Sequence, residues 1–398
     1  MTNEMVVVMG QMLRFKSAEL IDNQLCYVIE WQGEEHNLVY KIDSEHTDWL
    51  DASCADGAIV PFIYYAARFG FDIESSVPVS SELLFNLNHL VIPELCNAVG
   101  NQVVCVSAPE YLGDETPGNA VGSGFSGGVD SFTTFCEYAV DCTGSNKITH
   151  LLYFKQGAHD GQLSAYDKQV EQNLFEEQLA VTRAFANKYS YPLVVLESNL
   201  NEVLSSCFGF MSYEWSHSFR GAGMALMLQK NLRRFYYSDT YGLADFSVNL
   251  KRDSAHYEKW LFPLLSTNKL AITSANAGMG RVAKTQYISK YEQTYDNLLV
   301  CWKSGVNDCT CDKCIRTLVT LDYLGVLDKH ATCFDLDLYK ANKSKYLRRV
   351  AGGRWHDAFF AEIFQYAKDN GLKRASVFGQ ILGFFEYYFS KVKGRLSR

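Results

Sequence analysis

The sequence predicts an α/β fold, a parallel sheet flanked by helices, with a small α+β domain before it and a helical region after it. Three observations predict this. From about residue 119 onward, short apolar runs alternate with longer amphipathic stretches, the pattern of βαβ units whose parallel sheet carries helices on both faces. The first of these runs leads into a glycine-rich turn that opens a helix. The 398-residue chain is 47% hydrophobic and 21% charged, enough apolar material for a sizeable core spread over two or three domains.

The elements follow in order. Residues 25–31 and 37–40 read as strands between polar turns, 59–69 as a helix, and Ser80-Ser81-Glu82-Leu83-Leu84 as a cap with a helix start. Together they predict an N-terminal α+β domain over residues 1–107. Residues 109–119, with Gly113, Pro117 and Gly118, form the linker. Residues 120–125 are a strand and 129–140 a helix. Strands are expected at 148–155, 192–197, 235–238, 270–274 and 298–301, and helices at 166–188, 219–232 and 281–291. The sheet domain then covers 119–326. Residues 327–398 read as helical, with Gly352-Gly353 as a break, and the aromatic helix 378–389 is expected to serve as core or as a homodimer contact, not as a ligand site.

Ser126-Gly127-Gly128-Val129-Asp130-Ser131 sits where a strand passes into a helix. Glycines there let backbone N–H groups approach a phosphate closely, and the helix N-terminus adds about half a positive charge. The hydroxyls of Ser126 and Ser131 can donate to phosphate oxygens. Asp130 would repel a phosphate unless Mg²⁺ bridged the two, so it is assigned to Mg²⁺. The loop lacks the lysine and the length of a Walker A loop. It therefore does not suit γ-phosphate transfer.

S-G-G-x-D-S in this context resembles the signature of the N-type ATP pyrophosphatases, the PP-loop superfamily. The resemblance implies a five-stranded parallel sheet of the adenine nucleotide α-hydrolase type. It also implies cleavage of ATP between the α and β phosphates, leaving an adenylated intermediate. By resemblance, Ser126, Gly127, Gly128, Val129, Asp130 and Ser131 hold pyrophosphate and Mg²⁺. The ends of neighbouring strands, at 153–156 (Tyr153 and Phe154 first) and at Ser198 and Asn199, hold the adenosine. Ser238, Asp239 and Thr240 follow another strand and are candidates for the same reason.

Cys301, Cys309, Cys311 and Cys314 are four of twelve cysteines, packed into a short span before a helix. Thiolates so close together suit tetrahedral Zn²⁺, while an iron–sulfur cluster remains open on ligand type alone. The order of parts is similar to that of the 7-cyano-7-deazaguanine synthase family, which carries four zinc-binding cysteines late in its PP-loop domain. One residue is missing between Cys309 and Cys311 relative to that family's spacing. The likeness covers only about 120–325.

Arg281 and Lys284, spaced i, i+3 at a helix start, form a cationic pair that could neutralise charge developing on pyrophosphate. A solvated helix face explains the spacing equally well. His217 and Arg220 share that spacing, and His256 is a weak candidate base.

No apolar run approaches the roughly 20 residues that span a bilayer. The run 5–9 is too short for a signal peptide, so a cytoplasmic protein with reduced cysteines is expected. Net charge is −8, but residues 1–100 carry 15 acidic against 4 basic side chains, whereas 340–398 carry 13 basic against 4 acidic. Such asymmetry suits partner surfaces, or two ends that are simply solvated.

The expected activity is ATP-dependent adenylation of a carboxylate or amide oxygen, followed by attack of ammonia or another amine. By resemblance the small-molecule substrate is a carboxylated 7-deazaguanine-type base, or that base is joined to a protein or nucleic acid, with a protein partner encoded nearby as one candidate. The alternatives are a tRNA-thiolating enzyme of the same superfamily and a nucleotide-binding subunit of a defence or biosynthetic complex. The cofactors expected are ATP, Mg²⁺ and Zn²⁺.

Overall fold

The computed structural model describes residues 11–114, 116–158, 166–276 and 278–396, with side chains of the last helix described to residue 389. The apolar run 5–9 lies outside the described residues. The protein is α/β, and its chain divides into two compact units. The first holds residues up to Gly124, Cys142–Gln172 and 189–276. The second holds Phe125–Asp141, Asn173–Lys188 and 278–396.

Among the described residues, ten strands are found, all in the first unit and in one sheet of order β10-β9-β6-β7-β8-β3-β2-β1-β4-β5. The strands are β1 Met12–Ile21, β2 Gln24–Trp31, β3 Glu34–Ile42, β4 Asp72–Ser75, β5 Val106–Ser107, β6 Ala120–Gly124, β7 His150–Lys155, β8 Leu193–Ser198, β9 Leu232–Ser238 and β10 Ala271–Ala275. The first three form a meander joined by tight turns. Asp22 (φ 51°) supplies a left-handed residue at one turn, and Gln32 (φ 54°) with Gly33 (φ 84°) at the other. Leu25, Tyr27, Ile29 and Trp31 alternate inward along β2, so its register is fixed by burial. By contrast, β7 is buried along nearly its whole length, as a central parallel strand must be.

The five later strands are mutually parallel in the order β10-β9-β6-β7-β8, so the direction of winding reverses between β6 and β9. The front of the chain was expected to form a domain of its own over 1–107. Instead β3 pairs antiparallel with β8, Tyr40 opposite Ser198 and Ile42 opposite Leu196, and the sheet continues unbroken. The physical reason is the edge of β8, whose N–H and C=O groups would otherwise stand unpaired. Residues 109–114 and 116–119 form no helix, and Glu110 bridges to Val79. Helix α1 (Asp56–Phe69) lies against β1, its Phe62 ring meeting Phe15 edge-on at 5.5 Å, and α3 (Ile92–Val99), which follows α2 (Ser81–Asn86), packs on α1. The Phe208 ring gathers Trp31, Phe62, Tyr65, Phe69 and Phe71 around it.

In the second unit, α4 (Val129–Phe135) continues as a wider turn through Asp141. The helix α5 (Lys168–Tyr189) contributes Phe185, which stacks on Phe125 at 4.5 Å and meets Phe132 and Phe135 edge-on. Three short helices of the first unit come next in the chain, α6 (Leu200–Phe208), α7 (His217–Leu226) and α8 (Glu258–Leu265). The second unit resumes with α9 (Arg281–Ile288), α10 (Asp312–Tyr323), α11 (Leu336–Gly353), α12 (Ala358–Asp369) and α13 (Val377–Leu396). Gly352 and Gly353 end α11 instead of interrupting it. A Cβ on Gly352 would lie 2.0 Å from Gly383 O, so α11 and α13 touch backbone to backbone.

A strand was expected at 298–301, but these residues pair with no strand among the described residues. Their amides are taken elsewhere: Leu299 N–H by Gly127 O at 2.8 Å, and Val300 and Cys301 N–H by Asn307 Oδ1 at 2.8 and 3.1 Å. The helix expected at 219–232 stops at Leu226, because Leu232 already pairs with Ala120 in the sheet.

Candidate functional site

Two residues past the end of β6, the chain turns through Ser126, Gly127 and Gly128 into α4. Gly127 has φ +73°, a conformation that costs a residue with a side chain about 1–2 kcal/mol, which is why glycine stands there. Gly128 is extended and caps the helix. The first i→i−4 bond of α4 runs from Phe132 N–H to Gly128 O at 2.9 Å. The amides of Val129, Asp130 and Ser131 thus lie ahead of the helical ladder, the arrangement that binds anions. Ser131 Oγ donates to Gly128 O at 3.0 Å and lies 3.4 Å from Ser126 Oγ, so both hydroxyls sit on one side of the turn.

Asp130 meets two cations. Arg281 Nη2 donates to one of its oxygens at 2.8 Å and Lys284 Nζ to the other at 3.0 Å. Burial would raise the Asp130 carboxyl, but Arg281 and Lys284 outweigh it and hold it down at about 2. Arg281 and Lys284, expected as a pair from their spacing, are therefore brought together on the residue assigned to Mg²⁺. With both oxygens occupied by cations, Asp130 does not fit as a Mg²⁺ ligand in this arrangement.

Residues that sequence reasoning passed over surround this trio. Glu362 on α12 accepts from Arg281 N–H at 2.7 Å and Val282 N–H at 2.9 Å, capping α9 where its dipole is positive. The Arg281 guanidinium lies 4.7 Å from the Phe359 ring, and the Arg316 guanidinium lies 4.3 Å from the same ring. Lys313 stands one turn before Arg316 on α10. Its ammonium is held below the usual lysine range by desolvation and by the charges of Arg316 and Arg281, although the side chain keeps solvent-exposed surface. The signal was in the sequence: Lys313 and Arg316 repeat the i, i+3 spacing of Arg281 and Lys284.

In the first unit, the residues expected at the strand ends are engaged by the sheet. Tyr153 and Phe154 are buried in β7, opposite Val195 and Leu196. Ser198 Oγ accepts from Leu200 N–H at 3.1 Å. Asn199 accepts from Val39 N–H and donates to Asn37 O, both at 2.8 Å, extending the β3–β8 seam. Asp239 is buried at the end of β9, accepts from Ser274 Oγ at 3.0 Å and pairs with Lys259. Burial, then the Asp239 charge, push the neighbouring Glu258 carboxyl well above the usual range. His217 bridges Tyr237 OH at 2.7 Å and Asp253 Oδ1 at 2.8 Å. Arg220 is buried and bonded to Asn201, Gln156 O, Tyr65 and Ser216, a structural role. His256 stacks on Tyr241 at 4.1 Å and hydrogen-bonds Asp245 O at 2.9 Å.

The cysteine group gathers differently from its sequence spacing. Cys301, Asp308, Cys311 and Cys314 place their donor atoms within 4.8 Å of one another. Tetrahedral zinc with Zn–S near about 2.3 Å separates its ligands by roughly 3.8 Å, so the group fits a zinc ion. Cys309 is not part of it. Its φ of +55° turns the side chain away, toward Asp335 N–H at 3.3 Å and Asn307 O at 3.5 Å. Asp308 takes the fourth place while accepting from the Thr310 and Cys311 amides, both at 2.9 Å. The Cys311 and Cys314 thiols push the Cys301 thiol down by hydrogen bonding, while their own are pushed up. A bound divalent cation would hold all three as thiolates.

No family model, no curated protein and no solved structure matches the chain. The candidate chemistry rests on the geometry and on the motif.

Proposed function

We propose that the protein is an ATP-dependent ligase that adenylates a carboxylate, releases pyrophosphate and then joins the acyl group to an amine. The observation that carries this is the turn 126–131: a left-handed glycine, free helix amides, two hydroxyls, and a buried arginine–lysine pair one side chain away on Asp130. A carboxylate oxygen attacks the α-phosphorus, the bond from it to the β-phosphate oxygen breaks, and pyrophosphate leaves with the electron pair. The amine nitrogen then attacks the acyl carbon, loses a proton, and AMP departs. Catalysis is mainly positioning and charge stabilisation.

In this reading the turn amides and Ser126 and Ser131 grip the β and γ phosphates. Asp130 keeps Arg281 and Lys284 extended and ready for the leaving group. Mg²⁺, when bound, would neutralise phosphate charge as part of the nucleotide. The five parallel strands fit a nucleotide α-hydrolase sheet, with the turn leaving it where the winding reverses. The substrate is a carboxylated 7-deazaguanine-type base and the nitrogen donor is ammonia. Cys301, Cys311, Cys314 and Asp308 would hold zinc, which supplies structural cross-linking of the loop ahead of α10.

The test is incubation with α-labelled ATP, Mg²⁺, ammonia and a panel of carboxylated bases. AMP and pyrophosphate should form in equal amounts with one acid, and Lys284→Met should reduce turnover at least 100-fold. Absence of both products with every acid and amine offered would overturn the proposal.

A further inference from the structure

We infer that Lys313 and Arg316 on α10 form, with Arg281 and Lys284 on α9, a four-cation site that binds the pyrophosphate released from ATP. This rests on the ligase reading above and deepens it. It adds a pair of phosphate-binding residues that the loop motif does not include. The two helices pack against one another and against α12. Each carries its cations at i, i+3, which sets them on one helical face.

Phe359 fixes the spacing between the pairs. Arg281 and Arg316 rest against its ring at 4.7 and 4.3 Å, so the two guanidinium groups lie within about 9 Å of each other. A diphosphate carries peripheral oxygens on two phosphorus atoms and can engage cations from both helices. A single phosphate suits only one pair.

An independent observation points to a ligand. Arg281 is 5% exposed, yet its Nε has no hydrogen-bond partner. The buried Arg220 guanidinium, by contrast, bonds through all three of its nitrogens, while Arg234 Nε on β9 is the other unmatched guanidine nitrogen among the described residues. A buried donor left unmatched, beside an aromatic ring and further cations, is a group awaiting an anion. The start of α10 is also held firmly. Cys311 caps it, its sulfur accepting from Cys314 N–H at 3.4 Å, so the cysteine group that anchors the loop also positions Lys313.

The experiment is calorimetric titration of the full chain with inorganic pyrophosphate and, separately, inorganic phosphate. Wild type should bind pyrophosphate at least tenfold more tightly than phosphate. Lys313→Met and Arg316→Met should each weaken pyrophosphate binding tenfold or more, with Arg316→Lys recovering part of the loss. Arg374→Met, between α12 and α13, should change nothing. Should Arg316→Met unfold the chain, Lys313→Met makes the same comparison at a solvent-exposed position. If wild type does not bind pyrophosphate, or both methionine variants bind it as wild type does, the inference fails. If pyrophosphate binds as described but no acid yields AMP, the cation site stands and the ligase reading falls.

Discussion

At the scale of single residues, Asp130 is the point on which the site balances. It is the shared counter-charge of two nearly buried cations, and removing one member of such a set leaves the others uncompensated. Asp130→Asn should cost roughly 3 kcal/mol of stability, read from urea unfolding at pH 7. The pH dependence follows with a definite sign. The folded carboxyl titrates at about 2, below its ordinary 3.8, so between these values the unfolded chain binds a proton that the folded chain does not. Stability from this group is fully present above about pH 4 and is lost as pH falls through 2, by roughly 2 kcal/mol. In Asp130→Asn that acid-side component should disappear from the stability profile.

The cysteines test residue identity against residue spacing. Zinc content should be one ion per chain in wild type and in Cys309→Ala, but should drop in Cys301→Ala, Cys311→Ala and Cys314→Ala. A loss in Cys309→Ala equal to the others would show that the loop rearranges to use all four sulfurs. The cluster itself was legible from composition, because four thiols in so short a span stand out. Which thiol stays outside was not legible. It depends on the left-handed backbone at Cys309 and on the amides that fold Asp308 inward, and neither has a sequence signature.

At the scale of elements, the strand–turn–helix around Ser126 was readable because glycines and hydroxyls are punctuation with a backbone meaning. Most strands were readable from alternation or from continuous apolar runs. The segment 298–301 misled because its apolar residues resemble a strand, while its hydrogen bonds go to a loop carbonyl and an asparagine side chain. The brace on α9 was invisible for another reason: Glu362 is far away in sequence, on a helix that reads as generic. Glu362→Ala should cost about 1 kcal/mol through loss of the cap and should lower kcat more than it raises KM, since it repositions Arg281. Glu362→Gln, which keeps one of the two acceptor oxygens and faces the other amide with an NH2 group, should recover only part of both. Equal kinetics for the two variants would mean that the cap matters only for stability.

At the scale of the whole molecule, the front strands are not an appendage. The antiparallel seam from Tyr40 to Ile42 covers the outer edge of β8 and is reinforced by Asn199. A chain beginning after residue 107 should therefore be insoluble or associate through that edge, as seen by light scattering of the refolded fragment. A soluble monomeric fragment with native circular dichroism would contradict this. The apolar helix α13 has a two-sided character: its glycine side is locked to α11, while Phe378, Phe385 and Phe389 remain 75%, 49% and 59% exposed.

The route of the chain has a consequence for its birth. It passes between the two units at five places, the last just before α9. During translation, the segment from Phe125 to Asp141 and most of α5 emerge long before their later packing partners. Phe125, Phe132, Phe135 and Phe185 can meet one another early, but α4 must wait for α9, its partner from the last part of the chain. Such a protein cannot be finished piecemeal from the ribosome, and it should depend on holdase chaperones until the last helices have been made.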